Sequence, residues 1–196
     1  MSRTPNSRKE DTHERIVEVA ARAIRRHGYA GVGVAAVMNE AGLTHGGFYA
    51  HIESRDALLI EALDRAGRDS FGATAHAAKK RAGKGVSAFR ALVETYLGNR
   101  HLASMESGCP IAALACDMPR QPQAVREAST VRVQRLIAAV RSVLPEPHRA
   151  AAGFVAGTRV GSLQLARALG NNAAGRAVLS STREALIRLY DTSTVH

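Results

Sequence analysis

The chain contains 196 residues, of which 45% are hydrophobic and 22% are charged, a composition typical of globular proteins rather than disordered ones. Aromatic residues make up only 4% and Trp is absent, which disfavours a β-sandwich or barrel, while abundant Ala favours helices. Lys and Arg number 27 against 17 Asp and Glu, so the net charge of +10 points to an acidic polymer as a partner.

Three further classes of protein are excluded. Two cysteines are too few for a disulfide framework, and residues 1–10 are polar and basic with no apolar core of a secretory signal. No stretch reaches the roughly 18 consecutive apolar residues that a membrane span needs. The sequence therefore predicts a cytoplasmic protein with no membrane partner.

The first helix is predicted to begin near Asp11, which forms a capping box with Glu14, and to end at Gly28. Ile16 and Ile24 lie at helical spacing between these signals. Because the two isoleucines fall on one face, this helix is expected to pack its apolar side against the elements that follow.

Two short helices joined by a tight turn come next. Residues 34–41 form the first, Gly42 ends it, and Thr44 is a good N-cap for the second, which extends to about Ala50. Helices this short are marginal alone and need packing against a third helix. A helix-turn-helix, whose second helix enters the major groove of DNA, has this description.

Ser54 is predicted to cap a long helix whose periodicity fades between residues 73 and 85, which indicates a helix end and a loop. Four cations in this stretch belong either to a solvated loop or to a second DNA contact: Lys79, Lys80, Arg81 and Lys84. Later apolar periodicity, divided by Gly and Pro, predicts further helices around Phe89–Tyr96 and at about 110–118, 122–144, 148–169 and 174–190. The expected fold class is all-α, with about nine helices and no sheet.

The second short helix carries chemistry suited to DNA. Gly46 and Gly47 cost roughly 1 kcal/mol each against Ala in a helix but permit close approach of the backbone to another surface. Thr44 and His45 are the side chains best placed to reach base edges. Hydrogen-bond donors suited to phosphate oxygens come next along the chain, from Tyr49, His51, Ser54 and Arg55. The pattern places Phe48 and Ile52 in the core.

A series of residues at fixed spacing resembles the DNA-binding domain of the TetR/AcrR family of bacterial transcriptional regulators, from about Thr12 to Leu63. The residues that carry the resemblance are Gly28-Tyr29, Ala41-Gly42-Leu43-Thr44, Gly47-Phe48-Tyr49, His51 and Ser54-Arg55 followed by Leu58. One departure stands at Gly31-Val32-Gly33-Val34, where many members have a Thr that contacts phosphate, so that contact would fall to backbone N–H groups alone.

The resemblance implies an all-helical homodimer that binds operator DNA through residues 1–53 and a small-molecule effector through residues 54–196. Effector binding in such proteins usually releases the DNA, which makes a repressor the expected role. Two recognition helices would require half-sites about 34–36 Å apart, or a multiple of one helical turn. The expected dimer interface is formed by the last two helices. Gly153, Gly157 and Gly161 share one helix face there, and this face belongs either to the dimer interface or to a helix contact inside the monomer.

The effector pocket is expected among the helices after Ser54, lined by mostly apolar residues with a few polar groups. The predicted lining residues are Phe89, Val93, Tyr96, Cys109, Phe154 and Gln164. Cys109 suggests an alternative input, because Pro110 favours the first helical position and would leave the thiol at a positive helix end. The protein would then be a repressor that senses electrophiles or oxidants, with Arg167 close to the thiolate. The opposing interpretation is a small buried side chain.

Enzyme, metal and cofactor motifs are missing from the sequence. It has no dinucleotide fingerprint, P-loop, His-Glu-x-x-His or Cys-x-x-Cys, and its eight histidines lack ligand spacing. A regulator without enzymatic activity, metal or cofactor is therefore expected. A non-specific nucleic-acid-binding protein remains the second alternative, although such a protein would not need the long apolar C-terminal half.

Overall fold

The computed structural model describes residues 5–82 and 85–191, and all regular elements in these ranges are helical, as predicted. Lys84 and the predicted outer domain limits at residues 1 and 196 lie outside the described residues. In the described part, no helix is both long enough and apolar enough to cross a membrane. The nine α-helices of these ranges are α1 Pro5–His27, α2 Val34–Glu40, α3 Arg55–Ala82, α4 Ala88–Tyr96, α5 Asn99–Ala103, α6 Pro110–Leu114, α7 Gln123–Val143, α8 Ala152–Leu169 and α9 Ala173–Tyr190. Three 3₁₀ helices accompany them, at His45–Ala50, Met118–Arg120 and Glu146–Ala151.

The chain forms two compact units. The first comprises the residues up to Asp69 together with Glu106–Thr130, and the second comprises Ser70–Met105 and the residues from Val131 onward. Helices α3 and α7 each contribute one part to the first unit and the other part to the second. The sequence predicts a domain boundary after residue 53, so the compact units and the expected functional domains have different boundaries.

The core of the first unit forms where short and long helices share apolar faces. Ile16 and Ile24 of α1, Met38 of α2, and Leu58 and Leu59 of α3 are almost completely buried. Each such side chain contributes roughly 1.5–3 kcal/mol on burial. Because α2 has only seven residues, this packing rather than its intrinsic propensity maintains it as a helix.

The end of α1 is joined to the 106–130 segment of the same unit. Gly28 terminates the helix with φ of 72°, a left-handed conformation that glycine adopts without strain. The Tyr29 hydroxyl forms a buried hydrogen bond of 3.1 Å with the Ser129 hydroxyl, and Arg26 pairs with Glu106. These contacts explain why a distant part of the chain belongs to the N-terminal unit.

In the second unit, α8 and α9 pack closely along their lengths. Gly175 of α9 lies so near the end of α8 that an added Cβ would clash with the carbonyl groups of Ala166 and Gly170. The hydroxyls of Ser162 and Thr182 form a hydrogen bond of 2.8 Å between the two helices. A close backbone approach and a hydroxyl–hydroxyl hydrogen bond therefore join α8 to α9.

Several predicted helix limits are wrong. Helix α1 begins at Pro5, before Asp11, because Pro is favoured in a first turn and the polar residues after it are adequate helix formers. Helix α3 continues to Ala82, so Lys79, Lys80 and Arg81 lie in a helix and not in a loop. Its last turns are rich in Ala and Lys, whose intrinsic propensity does not require an apolar stripe.

The segment between α4 and α7 also differs from the prediction. The pattern predicts one helix over about 110–118, but α6 ends at Leu114 and a separate 3₁₀ turn covers Met118–Arg120. The five-residue helix α5, Asn99–Ala103, was not predicted. Elements this short give too few apolar repeats for periodicity to reveal them.

Candidate nucleic-acid interface

The predicted helix-turn-helix is present, with one change in its second element. Helix α2 ends at Glu40, and Gly42 makes the turn with φ of 68°. His45–Ala50 then forms a 3₁₀ helix instead of the expected α-helix. With only six residues, two of them Gly, this element has too few i→i+4 hydrogen bonds to offset its low propensity. We call residues 44–51 the recognition segment.

Thr44 occupies the N-cap of this 3₁₀ helix, as predicted, but its hydroxyl accepts no capping hydrogen bond. The hydrogen bond at the start of the 3₁₀ helix comes from the backbone, since the Thr44 carbonyl accepts the N–H of Gly47 at 3.1 Å. The Thr44 side chain is exposed, as are His45 and Gly46. Thr44 and His45 are therefore accessible to an approaching molecule.

Adjacent aromatic residues in the recognition segment have opposite environments. Phe48 is completely buried, whereas 74% of Tyr49 is exposed. The two rings meet edge to face, with centroids 5.1 Å apart, so buried Phe48 supports the exposed ring of Tyr49. Ile52 is also buried. The predicted division between core and exposed residues is confirmed in this segment.

The two glycines of the recognition segment are not required by packing within the chain. A Cβ added at Gly46 would meet no described atom within 4 Å, and one at Gly47 would meet only Met38 and Thr44 side-chain atoms at 3.8 Å. Neither glycine has a positive φ.

Ser54 and Arg55 organise the start of α3. The Ser54 hydroxyl accepts the N–H of Ala57 at 3.1 Å, which confirms the predicted cap. The Arg55 guanidinium donates to the Tyr29 carbonyl at 2.6 Å and to the Val32 carbonyl at 3.3 Å. Arg55 therefore positions the loop before α2, a structural role that the sequence did not indicate.

The backbone of His51, at the end of the recognition segment, is hydrogen-bonded to a histidine of α1. His13 Nδ1 donates to the His51 carbonyl at 3.0 Å, and His13 Nε2 donates to Glu61 of α3 at 2.6 Å. Both partners are acceptors, so the arrangement is satisfied when His13 carries two protons. Burial lowers the pKa of His13, but hydrogen bonds to Glu61 and His51 and the charges of Glu61 and Glu14 outweigh it and raise the pKa overall.

The imidazole of His51 behaves differently. Burial lowers its pKa, and the nearby charges of Lys9 and His13 lower it further, which favours the neutral ring. Within the described residues, its buried Nδ1 has no hydrogen-bond partner. His13 and Glu61 were missed by sequence reasoning because they are 48 positions apart and fit no local motif.

Comparison with known proteins agrees with this geometry. Residues 16–62, which include the C-terminal half of α1, the helix-turn-helix and the start of α3, match the sequence model of bacterial regulatory proteins of the tetR family. The resemblance to the TetR family is confirmed. The all-helical architecture with an N-terminal helix-turn-helix is confirmed as well. No curated protein matches the chain.

Solved structures of TetR-family regulators share the fold at low sequence identity. A family member from Agrobacterium tumefaciens has 19% identity and a TM-score of 0.74, covering 93% of this chain and 98% of its own. The reduced form of E. coli NemR has 16% identity and a TM-score of 0.77, with coverage of 94% and 100%. SCO4454 from Streptomyces coelicolor has 19% identity and a TM-score of 0.70, with coverage of 94% and 97%.

The residues predicted to line an effector pocket come from both compact units of the chain. Phe89, Val93 and Tyr96 are buried in the second unit. Phe154, also in that unit, is 59% exposed, and Gln164 is half-buried. Cys109 belongs to the first unit. Five of the six predicted lining residues therefore belong to the second unit.

A buried basic cluster surrounds Tyr96 and was not predicted. The guanidinium of Arg159, a residue only 2% exposed, lies over the Tyr96 ring at 4.0 Å. His101 meets the same ring edge to face at 4.6 Å. Burial is the main cause that lowers the pKa of His101 to about 4, and the charges of Arg167 and Arg159 lower it further. The hydrogen bond to the Tyr96 carbonyl acts in the opposite direction but is outweighed. His101 is therefore neutral at pH 7.

Cys109 occupies the N-cap of α6 and Pro110 the first helical position, as predicted. The thiol is buried, and it lies near Arg25 of α1. Burial lowers the pKa of Arg25, while Asp69 and Cys109 oppose that change. Arg167, which the sequence predicts to lie near Cys109, donates to the carbonyls of His101 and Ser104 in the second unit.

Proposed function

We propose that the protein is a cytoplasmic transcriptional repressor that binds operator DNA as a homodimer and acts without a cofactor. The observation that carries this proposal is the recognition segment: an exposed backbone with two glycines that internal packing does not require, beside an exposed Tyr49 supported on a buried Phe48. A surface of this kind admits the DNA backbone closely and offers donors around it.

Each predicted DNA-binding residue has a distinct role in this proposal. Thr44 and His45 read base edges, and the backbone at Gly46 and Gly47 lies against the sugar-phosphate chain. Tyr49 and His51 donate to phosphate oxygens. Ser54 and Arg55 contribute the start of α3, where the helix end favours an anion. Because Arg55 already donates to two carbonyls, its phosphate contact would use its remaining N–H groups.

Homodimerisation is supported by the outer face of α8. Gly153 and Gly157 are exposed, and a Cβ added to either would meet no described atom within 4 Å. Leu165 and Leu169 are large apolar residues that are also exposed. Apolar side chains interleaved with small ones suit close packing against a second helix, so α8 and α9 of two protomers would form a four-helix interface.

Repression would be relieved by a small apolar effector in the second unit. Helix α3 begins directly after the recognition segment and contributes residues to both units, which provides one continuous element for coupling. An effector that prefers one arrangement of α3 by a few kcal/mol shifts the population of DNA-binding dimers. Phe89, Val93, Tyr96, Phe154 and Gln164 remain the proposed contacts.

A second candidate input is oxidation or alkylation of Cys109. The observation that favours it is that Cys109 shares the first unit with the recognition segment and neighbours Arg25 of α1. A bulky adduct on a buried thiol would displace α6 from α1, which forms the core beneath α2. Release of operator by a mild alkylating agent from the native chain but not from Cys109→Ser supports this input. Equal release from both, or release from neither, removes it.

Gel-shift titration with the DNA upstream of the protein's own gene tests the main proposal. The native chain should bind this fragment at least ~1000-fold more tightly than random DNA of equal length. Candidate apolar effectors are then added to the complex to look for release. Equal affinity for the two DNAs at every salt concentration would contradict the proposal and favour the non-specific alternative.

A further inference from the structure

The second unit contains a polar cavity of about 560 Å³ that none of the predicted sites includes. It is formed by the end of α3, by α4, by the start of α5 and by α9. Its lining residues are Arg81, Glu94, Gly98, Asn99, Arg176, Ser180 and Arg183. The volume falls within the roughly 300–1,000 Å³ of small-molecule sites, but the lining has no large apolar side chain.

One face of α9 supplies two of the cations. Arg176, Ser180 and Arg183 are spaced by four and three positions, so they lie along one side of the helix. Arg183 donates to the Leu97 carbonyl at 3.4 Å and to the Ser180 hydroxyl at 3.3 Å, and Arg176 donates to Asn171. In residues 5–82 and 85–191, neither Arg176 nor Arg183 has a carboxylate partner.

The single carboxylate of the lining is already shared between two arginines. Glu94 accepts from Arg81 at 2.7 Å and from Arg90 at 2.9 Å. The charges of Arg176 and Arg183 are therefore not compensated by Glu94. Three guanidinium groups against one carboxylate leave the cavity with a net positive charge.

We propose that this cavity binds a small molecule with two or more closely spaced anionic groups, either phosphates or carboxylates. Guanidinium groups present planar forks that match both kinds of oxyanion in bidentate geometry. Asn99 adds a neutral amide to the lining that can donate to the ligand. The ligand differs in chemistry from the apolar effector proposed above, and the proposal holds whether or not the protein binds DNA.

Isothermal titration calorimetry of the full chain with pyrophosphate and with citrate tests the proposal, at constant ionic strength maintained with NaCl. The double variant Arg176→Gln/Arg183→Gln should bind the preferred anion at least ~10-fold more weakly. The matched control, Arg141→Gln/Arg149→Gln, removes two exposed charges from the same unit outside the cavity and should bind as the native chain does.

Removal of a negative charge from the cavity should have the opposite effect on anion affinity from removal of a positive charge. Glu94→Gln removes the only carboxylate of the lining and should tighten binding several-fold. If the double variant does not fold, Arg176→Gln alone serves, since its side chain is exposed and, among the described residues, bonds only to Asn171. Absence of binding by the native chain at millimolar anion, or equal weakening in the cavity and control variants, would overturn the proposal.

Discussion

The recognition segment and the outer face of α8 expose different kinds of surface. Around residues 44–51 the exposed groups are hydroxyls, an imidazole, glycine backbone and the phenol of Tyr49. Along the outer face of α8 the exposed groups include Leu165 and Leu169 beside glycines. The first surface offers donors to an anionic polymer and the second offers apolar area to another protein chain. Exposure alone therefore does not identify a partner. The chemistry of the exposed atoms indicates which kind of partner each surface suits.

The largest expected effect separates the two adjacent aromatic residues of the recognition segment. Phe48→Ala should lower the free energy of unfolding by about 3–5 kcal/mol, because it leaves a cavity in the core. Tyr49→Ala should change it by less than ~1 kcal/mol, because the side chain is mostly exposed. Urea denaturation followed by circular dichroism measures both. A similar loss of unfolding free energy in the two variants would contradict the assignment of Phe48 to the core and of Tyr49 to the exposed surface.

Assembly should respond to charge on the outer face of α8. Leu165→Glu places a carboxylate in the proposed interface and should weaken dimerisation by about 2–4 kcal/mol, the size expected at a central apolar contact. Sedimentation equilibrium at micromolar concentration measures the change. Glu184→Gln, on the exposed side of α9, controls for altered surface charge. A Leu165→Glu chain that remains as dimeric as the native chain would place the interface elsewhere.

Measurements of DNA affinity should distinguish residues that read bases from residues that contact phosphates. Tyr49→Phe should weaken binding to all sequences by about 1 kcal/mol, since it removes one phosphate hydrogen bond, while His45→Ala should change the order of preferred sequences. Arg55→Ala should reduce the salt slope by about 1. It should also reduce stability, because the Tyr29 and Val32 carbonyls lose their donor.

Arg55→Lys distinguishes the two roles of Arg55. Lysine keeps the positive charge but lacks the fork that reaches two carbonyls, so it should restore the salt slope without restoring stability. Fluorescence anisotropy over a salt series and thermal unfolding provide the two readouts. An unchanged slope in both variants would leave Arg55 with its structural role alone.

The smallest expected effect concerns pH. The folded-state pKa of His13 is raised above its ordinary value of 6.5, so its bonds to Glu61 and His51 contribute fully below pH 6.5. Their contribution is lost as the pH rises through the folded-state pKa of His13. The difference in unfolding free energy between the native chain and His13→Gln should therefore shrink from pH 6 to pH 8. Glu61→Gln should lower the pKa of His13, which NMR titration measures directly.

Local signals account for the parts of the site that sequence alone predicted. Gly42 marks a turn with positive φ, Ser54 caps α3, and Cys109 precedes Pro110 at the start of α6. The burial of Phe48 and Ile52 follows from their spacing. Caps, turns and apolar periodicity involve residues within about four positions of one another, and such information is contained in the order of the residues.

Long-range packing decided the remainder. It placed Arg55 on the carbonyls of Tyr29 and Val32, and it joined His13 to Glu61. It also placed Cys109 with Arg25 in the first unit and gathered the arginines of α3 and α9 around one cavity. These partners are tens of positions apart, and no local pattern specifies which distant side chain fills the space beside a given helix. Sequence order determined the helices and the type of DNA-binding motif, while the tertiary structure alone determined which charged and polar groups meet.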